Sequence, residues 1–289
     1  MFKDIDEILV LMKGYKYVAD RSLATMIYLA QGLQKPLLLE GEAGVGKTEV
    51  AKVISQILNS KLIRLQCYEG LDVSTSLYEW NYPKQMLEIK MQEVKGEAKK
   101  DIEETIFSEK FLLKRPLLQA IQNNSMIPPT LLIDEIDRSD EEFEAFLLEV
   151  LSDFQITIPE IGTIAAEKYP FVVITSNRTR QLHDALKRRC LYHWVDYPSF
   201  EKELEIVLTK IPGIRDSIAR QVCEFMQKIR QTDFHKNPGI AETLDWAQAL
   251  IVLGKEELDQ ETIDQTLGCI LKYKDDMLKF REMMLLGLC

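Results

Sequence analysis

Eight consecutive residues, Gly41-Glu42-Ala43-Gly44-Val45-Gly46-Lys47-Thr48, have the types and spacing needed to hold a chain of phosphates. They match G-x-x-x-x-G-K-[ST], the P-loop. Glycines let the backbone wrap an anion with its N–H groups turned inward. A helix predicted over residues 47–58 points its positive end at the same anion. Glu49, in its first turn, joins the loop as a candidate contact. Lys47 would bring its charge to the β- and γ-phosphates, and the Thr48 hydroxyl is a ligand for Mg2+. ATP and Mg2+ are therefore the expected ligands.

A second constellation follows at Thr130-Leu131-Leu132-Ile133-Asp134-Glu135. An apolar strand delivers two adjacent carboxylates to its C-terminal edge, where open α/β sheets bind ligands. Strand alternation predicts that the two side chains point differently. Asp134 fits a Mg2+-holding role and Glu135 a water-polarising one. A third strand, Phe171-Val172-Val173-Ile174-Thr175, ends at Ser176-Asn177. The Asn177 amide there is placed to touch both a γ-phosphate and an attacking water, or else simply begins a turn. Finally, Leu186-Lys187-Arg188-Arg189-Cys190 is a basic cluster before the last strand. Arg189, ahead of Arg188, is a candidate for reaching a neighbouring subunit's nucleotide. Cations that suit a helix C-terminus are the other reading.

These residues need a scaffold that brings strand ends together. Five short apolar runs, at 36–39, 61–66, 130–133, 171–175 and 191–195, alternate with helical patterns. That pattern predicts an α/β fold: a parallel five-stranded sheet with flanking helices and right-handed crossovers. An earlier helix is marked by Ala24, Ile27, Ala30 and Leu33 at three-residue spacing. After Tyr197-Pro198-Ser199 the strands stop. The expected organisation is an α/β nucleotide-binding domain over 1–198 and a smaller all-helical lid over 199–289. Residues 88–110 carry twelve charges of both signs, with Val94, Ala98, Ile102 and Ile106 four apart. They predict a solvated amphipathic helix with one packed stripe, or a partner surface. Ser139-Asp140-Glu141-Glu142 reads as a capping box. Apolar alternation around Pro159 and Gly162 predicts a hairpin over 155–166.

Composition narrows the function. The 289 residues include 36 Lys+Arg and 46 Asp+Glu, a net charge of −10. That balance counts against a broad phosphate-tracking surface, so no nucleic-acid partner is expected. The apolar runs are far shorter than the ~20 residues of a transmembrane helix, so no membrane span is expected. Met1-Phe2-Lys3-Asp4 lacks the basic start and apolar stretch of a signal peptide, and cytoplasmic localisation is the expectation. Five cysteines without a CxxC pair, at 67, 190, 223, 269 and 289, read as free thiols. His183, His193 and His235 lack metal-site spacing.

The order of these motifs resembles the AAA+ ATPases, and more closely the MoxR family. Stretches such as Arg64-Leu-Gln-Cys-Tyr-Glu-Gly-Leu-Asp72, Tyr78-Glu-Trp-Asn-Tyr-Pro83, Phe111-Leu-Leu-Lys-Arg-Pro116 and Asp184-Ala-Leu-Lys-Arg-Arg-Cys-Leu191 are similar to the CoxD-like branch, which is associated with carbon monoxide dehydrogenase maturation. The resemblance implies a P-loop fold with a helical lid and a homo-oligomeric ring, usually a hexamer. It implies chaperone-like remodelling of a client metalloenzyme, with a von Willebrand factor A domain partner. Asp134 then corresponds to the Walker B aspartate, Asn177 to sensor 1 and Arg189 to the arginine finger. Residues 84–110 correspond to the helix-2 insertion and 155–166 to the hairpin before sensor 1. Two departures stand out. Gly239-Ile-Ala-Glu-Thr-Leu-Asp-Trp246 has no sensor-2 arginine, with Glu242 or Thr243 near its position. Asp137 stands where MoxR proteins commonly carry asparagine.

The adenine site is weakly marked. Tyr17 and Val18 lie where related ATPases place the base-contacting segment, and ordinary helix packing explains them equally well. Two rival functions share this core: a nucleic-acid motor or loader, and an ATP-binding switch without useful turnover. The charge of −10 speaks against the first and the intact Asp134-Glu135 pair against the second.

Overall fold

The computed structural model describes residues 2–95 and 105–285. Two helices, Ile5–Gly14 (α1) and Arg21–Leu33 (α2), lead into strand Leu37–Gly41 (β1). Asp4 and Asp20 cap the two helices, each accepting the backbone N–H three residues on. Ala24, Ile27 and Ala30 are buried as their spacing predicts, but Leu33 is exposed at the end of the helix. After β1 come helix Lys47–Ile57 (α3), strand Leu62–Gln66 (β2), the single turn Val73–Ser76 (α4), strand Tyr78–Trp80 (β3) and helix Tyr82–Lys95 (α5). Leu112–Lys114 (β4), Pro116–Ile121 (α6), Thr130–Asp134 (β5) and Glu141–Asp153 (α7) follow. Gln155–Ile158 (β6) and Gly162–Ala165 (β7) form the expected hairpin, ahead of Phe171–Ser176 (β8), Asp184–Arg189 (α8) and Leu191–Val195 (β9).

The five expected strands make one parallel sheet in the order β2-β5-β8-β1-β9. Register aligns their C-terminal ends: Gln66 lies opposite Asp134, and Glu40 opposite Ser176. That alignment brings the loops after four strands to one edge. All of β1 is buried and its side chains alternate between two cores. Leu38 joins Ile133, Ile174 and the aromatic cluster under α6 and α7. Leu37 and Leu39 pack with α1, α2 and α3. A Leu38→Ala change would cost about 2–5 kcal/mol, because it removes buried methyls from a site closed on both sides.

From residue 200 onward the described chain is helical: Phe200–Lys210 (α9), Asp216–Ile229 (α10), Ile240–Val252 (α11), Gln260–Thr266 (α12) and Lys274–Leu285 (α13). These helices have their own core around the fully buried Trp246. At one side of that core Arg230 pairs with Glu203 at 2.7 Å, with the Thr243 hydroxyl donating to the same carboxylate. Both charges are buried, so removing either would leave the other uncompensated and cost about 3–5 kcal/mol.

Two expectations change, and one small sheet was not among them. The stripe over 88–110 is not one packed face where it is described. Val94 is exposed and Ile106 half-buried, while Ala98 and Ile102 lie outside the described residues. The helix instead starts at Tyr82 and buries Gln85 and Gln92, with Gln85 Nε2 donating to the Ile106 carbonyl. Tyr82, Met86, Leu87 and Met91 face solvent. The small β3–β4 sheet that anchors this segment, with Trp80 edge-on to Phe107, has no clear pattern in the sequence. At α7 the cap is Asp140, which accepts from the Phe143 N–H, whereas Ser139 turns its hydroxyl to the Ile136 carbonyl.

Candidate functional site

The loop over residues 41–48 lies between the end of β1 and the start of α3, as its sequence predicts. Gly46 has φ +97°, a left-handed backbone that only glycine adopts freely, and it starts α3 without a side-chain cap. The helix therefore presents bare N–H groups to the loop. Lys47 is buried, and its ammonium donates to the carbonyls of Gly41 and Glu42 at 2.7 and 2.6 Å. Burial pushes it down to about 8, against the pull of the Asp137, Glu42, Asp134 and Glu135 carboxylates.

Across the loop, Thr48 Oγ1 donates to Asp134 Oδ1 at 3.0 Å. The same oxygen accepts from Thr175 Oγ1 at 2.6 Å, and Asp134 Oδ2 accepts from Arg64 Nε at 3.0 Å. An adjacent hydroxyl and carboxylate are hard oxygen donors of the kind Mg2+ takes, with phosphates and waters completing its shell. Among the described residues no cluster of three or more His, Cys, Asp or Glu could hold a metal alone.

Glu135 diverges from Asp134 for a reason other than strand alternation. The strand ends at Asp134, and Glu135 takes a left-handed backbone, φ +57°. That conformation is uncommon for a non-glycine residue, and its N–H is held by Thr175 Oγ1 at 2.9 Å. Its carboxylate is clasped by Asn177 Nδ2 at 3.1 Å, Gln66 Nε2 at 3.0 Å and Arg138 Nε at 3.1 Å. Asn177 is thus at the acid rather than free in a turn. Asp137 anchors its loop. The buried carboxylate accepts from the N–H groups of Asn177 and Thr179 and from the Thr179 hydroxyl, at 3.0, 2.9 and 2.7 Å. Burial alone would raise that carboxyl, but these donors hold it below its ordinary value.

A cleft of about 730 Å³ opens from the loop. It contains Ala43 to Glu49, Asp134, Glu135 and Asn177, and it includes Tyr17 and Val18. Burial raises the Tyr17 phenol above its usual range. Gly41 and Glu42 form the base of the loop at the strand end. The far wall belongs to the helical region. Ala241 N–H donates to the Gly44 carbonyl at 3.2 Å, and a Cβ on Gly239 would lie 2.8 Å from Ala43 O. Only glycine permits that approach. Of the two residues near the sensor-2 position, Glu242 turns its carboxylate to the Gly239 N–H beside Gly44, and Thr243 turns into the helical core.

Arg188 and Arg189 are not brought to this cleft. Both are exposed on α8, where Arg189 Nε donates to Ser152 Oγ at 2.7 Å. Lys187, in the same turn, faces the buried Glu40 at 3.7 Å. Residues that the sequence reading missed include Arg64, Gln66 and Thr175. Their signal was positional: Gln66 and Thr175 are polar residues at or next to a strand end in this sheet, where ligands bind, and Arg64 shares the strand face of Gln66 two residues earlier.

A phosphate cradle at the edge of a parallel sheet, with a hydroxyl–carboxylate pair and a held second acid beside it, defines a P-loop NTPase of the AAA+ type. Residues 36–190 match the model of the AAA domain, dynein-related subfamily, and the chain belongs to that family. Members of this class bind nucleotide, typically with Mg2+. An uncharacterized protein of Staphylococcus haemolyticus is 25% identical over 228 residues, 76% of this chain and 77% of its own length. One from Staphylococcus aureus strain RF122 / ET3-1 is 27% identical over 205 residues, 68% and 69% of the two chains. Among solved structures, a point mutant of Thermotoga maritima RuvB covers 96% of this chain and 75% of its own at 19% identity, with a TM-score of 0.50. That likeness is one of fold. Among the described residues no helix is long and apolar enough to cross a membrane.

Proposed function

We propose that this chain hydrolyses ATP and uses the cycle to remodel a protein client, as a MoxR-type member of its family. The observation that carries the hydrolytic reading is the clasp on Glu135. A carboxylate aimed by Asn177 and Gln66 sits one residue from the Asp134–Thr48 pair. Lys47 and the loop amides hold the phosphates, with the ammonium leaving its two carbonyl partners to do so. Thr48 and Asp134 are the residues that would hold Mg2+, which supplies charge neutralisation along the phosphates. Glu135 takes a proton from the attacking water while Asn177 orients that water toward the γ-phosphate. Arg189 of a neighbour, in preference to Arg188, completes the charge at the ring interface. Its exposure, away from the chain's own cleft, supports a role in trans.

AAA+ proteins typically assemble as rings, and a hexamer is proposed here, with residues 1–198 as the nucleotide-binding domain and 199–289 as the lid. The client reading draws on the MoxR resemblance and on the solvent-facing Tyr82, Met86, Leu87 and Met91 of α5, together with the β6–β7 hairpin, whose second strand is largely exposed. A metalloenzyme client and a von Willebrand factor A domain partner complete the proposal. The net charge of −10 favours protein over nucleic acid as the substrate.

The test is phosphate release by wild-type protein and by Glu135→Gln, followed by capture with the ATP-loaded variant. Turnover should vanish in the variant while ATP binding persists, and the trapped variant should retain its client. Normal turnover by Glu135→Gln would remove the assigned base. Stimulation of turnover by DNA at physiological salt, with no captured protein, would replace the remodelling reading with a nucleic-acid motor.

A further inference from the structure

Helix α9 lays three residues along the nucleotide cleft at four-residue spacing: Lys202, Ile206 and Lys210. Such spacing puts them on one helix face, and the two lysines are about 12 Å apart along the axis. Each lysine meets a carboxylate across the cleft. Lys202 Nζ lies 2.9 Å from Asp20 Oδ2, and Lys210 Nζ lies 2.9 Å from Glu49 Oε1. The helix is therefore oriented with respect to the phosphate cradle. Its Lys210 end stands beside the residue that follows Thr48, and Ile206 lines the same cleft as Tyr17 and Val18.

Glu49 is a problem for an anion site. A carboxylate in the first turn suits the helix dipole, but it repels a polyphosphate approaching the same N–H groups. Lys210 offsets that charge, yet a single acceptor does not exhaust it, since an ammonium has three donors. Glu49 has a second cation at hand in Lys52, whose Nζ is 3.5 Å from Oε2. The carboxylate therefore keeps a partner if Lys210 turns toward a ligand. Among the residues that α11 brings to the cleft, Ile240, Ala241 and Leu244, none is a cation.

We infer that Lys210 is a further nucleotide-binding residue, whose ammonium turns from Glu49 to donate to the phosphate chain of a bound nucleoside di- or triphosphate. The inference rests on the nucleotide reading proposed above and adds to it a contact between the phosphates and the helical region. Through that contact α9 follows the presence of phosphate, and Ile206 is carried against the base.

The experiment is a set of dissociation constants for ATP, ADP and adenosine, measured on the full chain. The proteins are wild type, Lys210→Met, Lys210→Arg, Glu49→Gln and the Glu49→Gln/Lys210→Met double variant, with Lys47→Ala as reference. Loss of one charge-assisted contact should weaken ATP and ADP about tenfold in Lys210→Met and leave adenosine unchanged. Lys210→Arg should recover most of that loss. The double variant should remain about tenfold weaker than Glu49→Gln alone, because the missing partner is the phosphate. A Lys210→Met protein that binds ATP like wild type overturns the inference. So does a double variant that returns to the Glu49→Gln level, which would make Lys210 only a counterion, and so does an equal loss of adenosine affinity. A wild-type protein indifferent to ATP, and no better than Lys47→Ala, would sink the nucleotide reading itself, a result separate from any effect at residue 210.

Discussion

Asn177 donates its side-chain amide to Glu135 across 3.1 Å, joining the ends of two neighbouring strands. The amide has a second N–H free for a water held between them. Asn177→Ala should slow steady-state hydrolysis by about a hundredfold, the usual loss when one preorganised donor is removed. ATP affinity should change little. Parallel measurement of phosphate release and of nucleotide binding checks both halves, and an equal loss in both would make Asn177 a binding residue.

The position of Asn177 depends on Asp137. Asp137→Ala strands three donors, two of them backbone N–H groups. Each buried unsatisfied donor costs about 1–3 kcal/mol, so thermal unfolding should begin at clearly lower temperature. Because the Asp137 carboxyl is held below its unfolded value, its stabilisation is present above the ordinary aspartate range. It is lost as pH falls through the depressed folded value. A wild-type melting profile that steepens downward at acidic pH, and flattens in Asp137→Ala, is the expected signature.

Burial against two carbonyls pushes the Lys47 ammonium down to about 8. Phosphate stabilises the charged form, so its value in the complex lies higher. Binding then takes up a proton between the two values, and affinity falls as pH rises above about 8 by up to ~1.4 kcal/mol per unit. Calorimetry of ATP binding near pH 8.5 in buffers of different ionisation enthalpy should show net proton uptake, and that uptake should shrink as the pH is lowered through 8.

Gly239→Ala introduces a Cβ within 2.8–2.9 Å of Ala43 O and the Gly44 backbone. One side must give way. The helical region should move off the loop and ATP affinity should drop, while its own core around Trp246 stays folded. Faster amide exchange over residues 41–48 and 239–244, without exchange gains in α10, is the expected pattern.

Arg189 lies outside the cleft of its own chain. Arg189→Ala should therefore bind ATP normally, hydrolyse it about a thousandfold more slowly, and be rescued in mixed rings. Mixing it with Glu135→Gln, each inactive alone, should restore turnover at interfaces that pair an intact acid with an intact arginine. No recovery on mixing would place the arginine's role within one chain.

The sequence by itself determined the sheet and the phosphate loop. Both depend on short-range chemistry: uninterrupted apolar runs that must be buried on two faces, and a glycine spacing that few other structures need. The hairpin over 155–166 was legible for the same reason, since Gly162 sits at φ +99° where its turn requires it. Only the tertiary structure decided what surrounds the phosphates. Arg64 and Gln66 reach Asp134 and Glu135 because β2 pairs with β5 in that register, which no local pattern encodes. In sequence Asp137 reads only as a family variation, and the fold alone places its carboxylate on the N–H groups of the Asn177 loop. The stripe at Val94 failed because periodicity predicts which residues share a face, and not whether anything is there to cover it. Lys210 lies 161 residues from Glu49, and Gly239 lies 195 residues from the Gly44 it packs against. Their contribution comes from the chain folding back over its own cleft, where charge and close packing act between residues that the sequence keeps far apart.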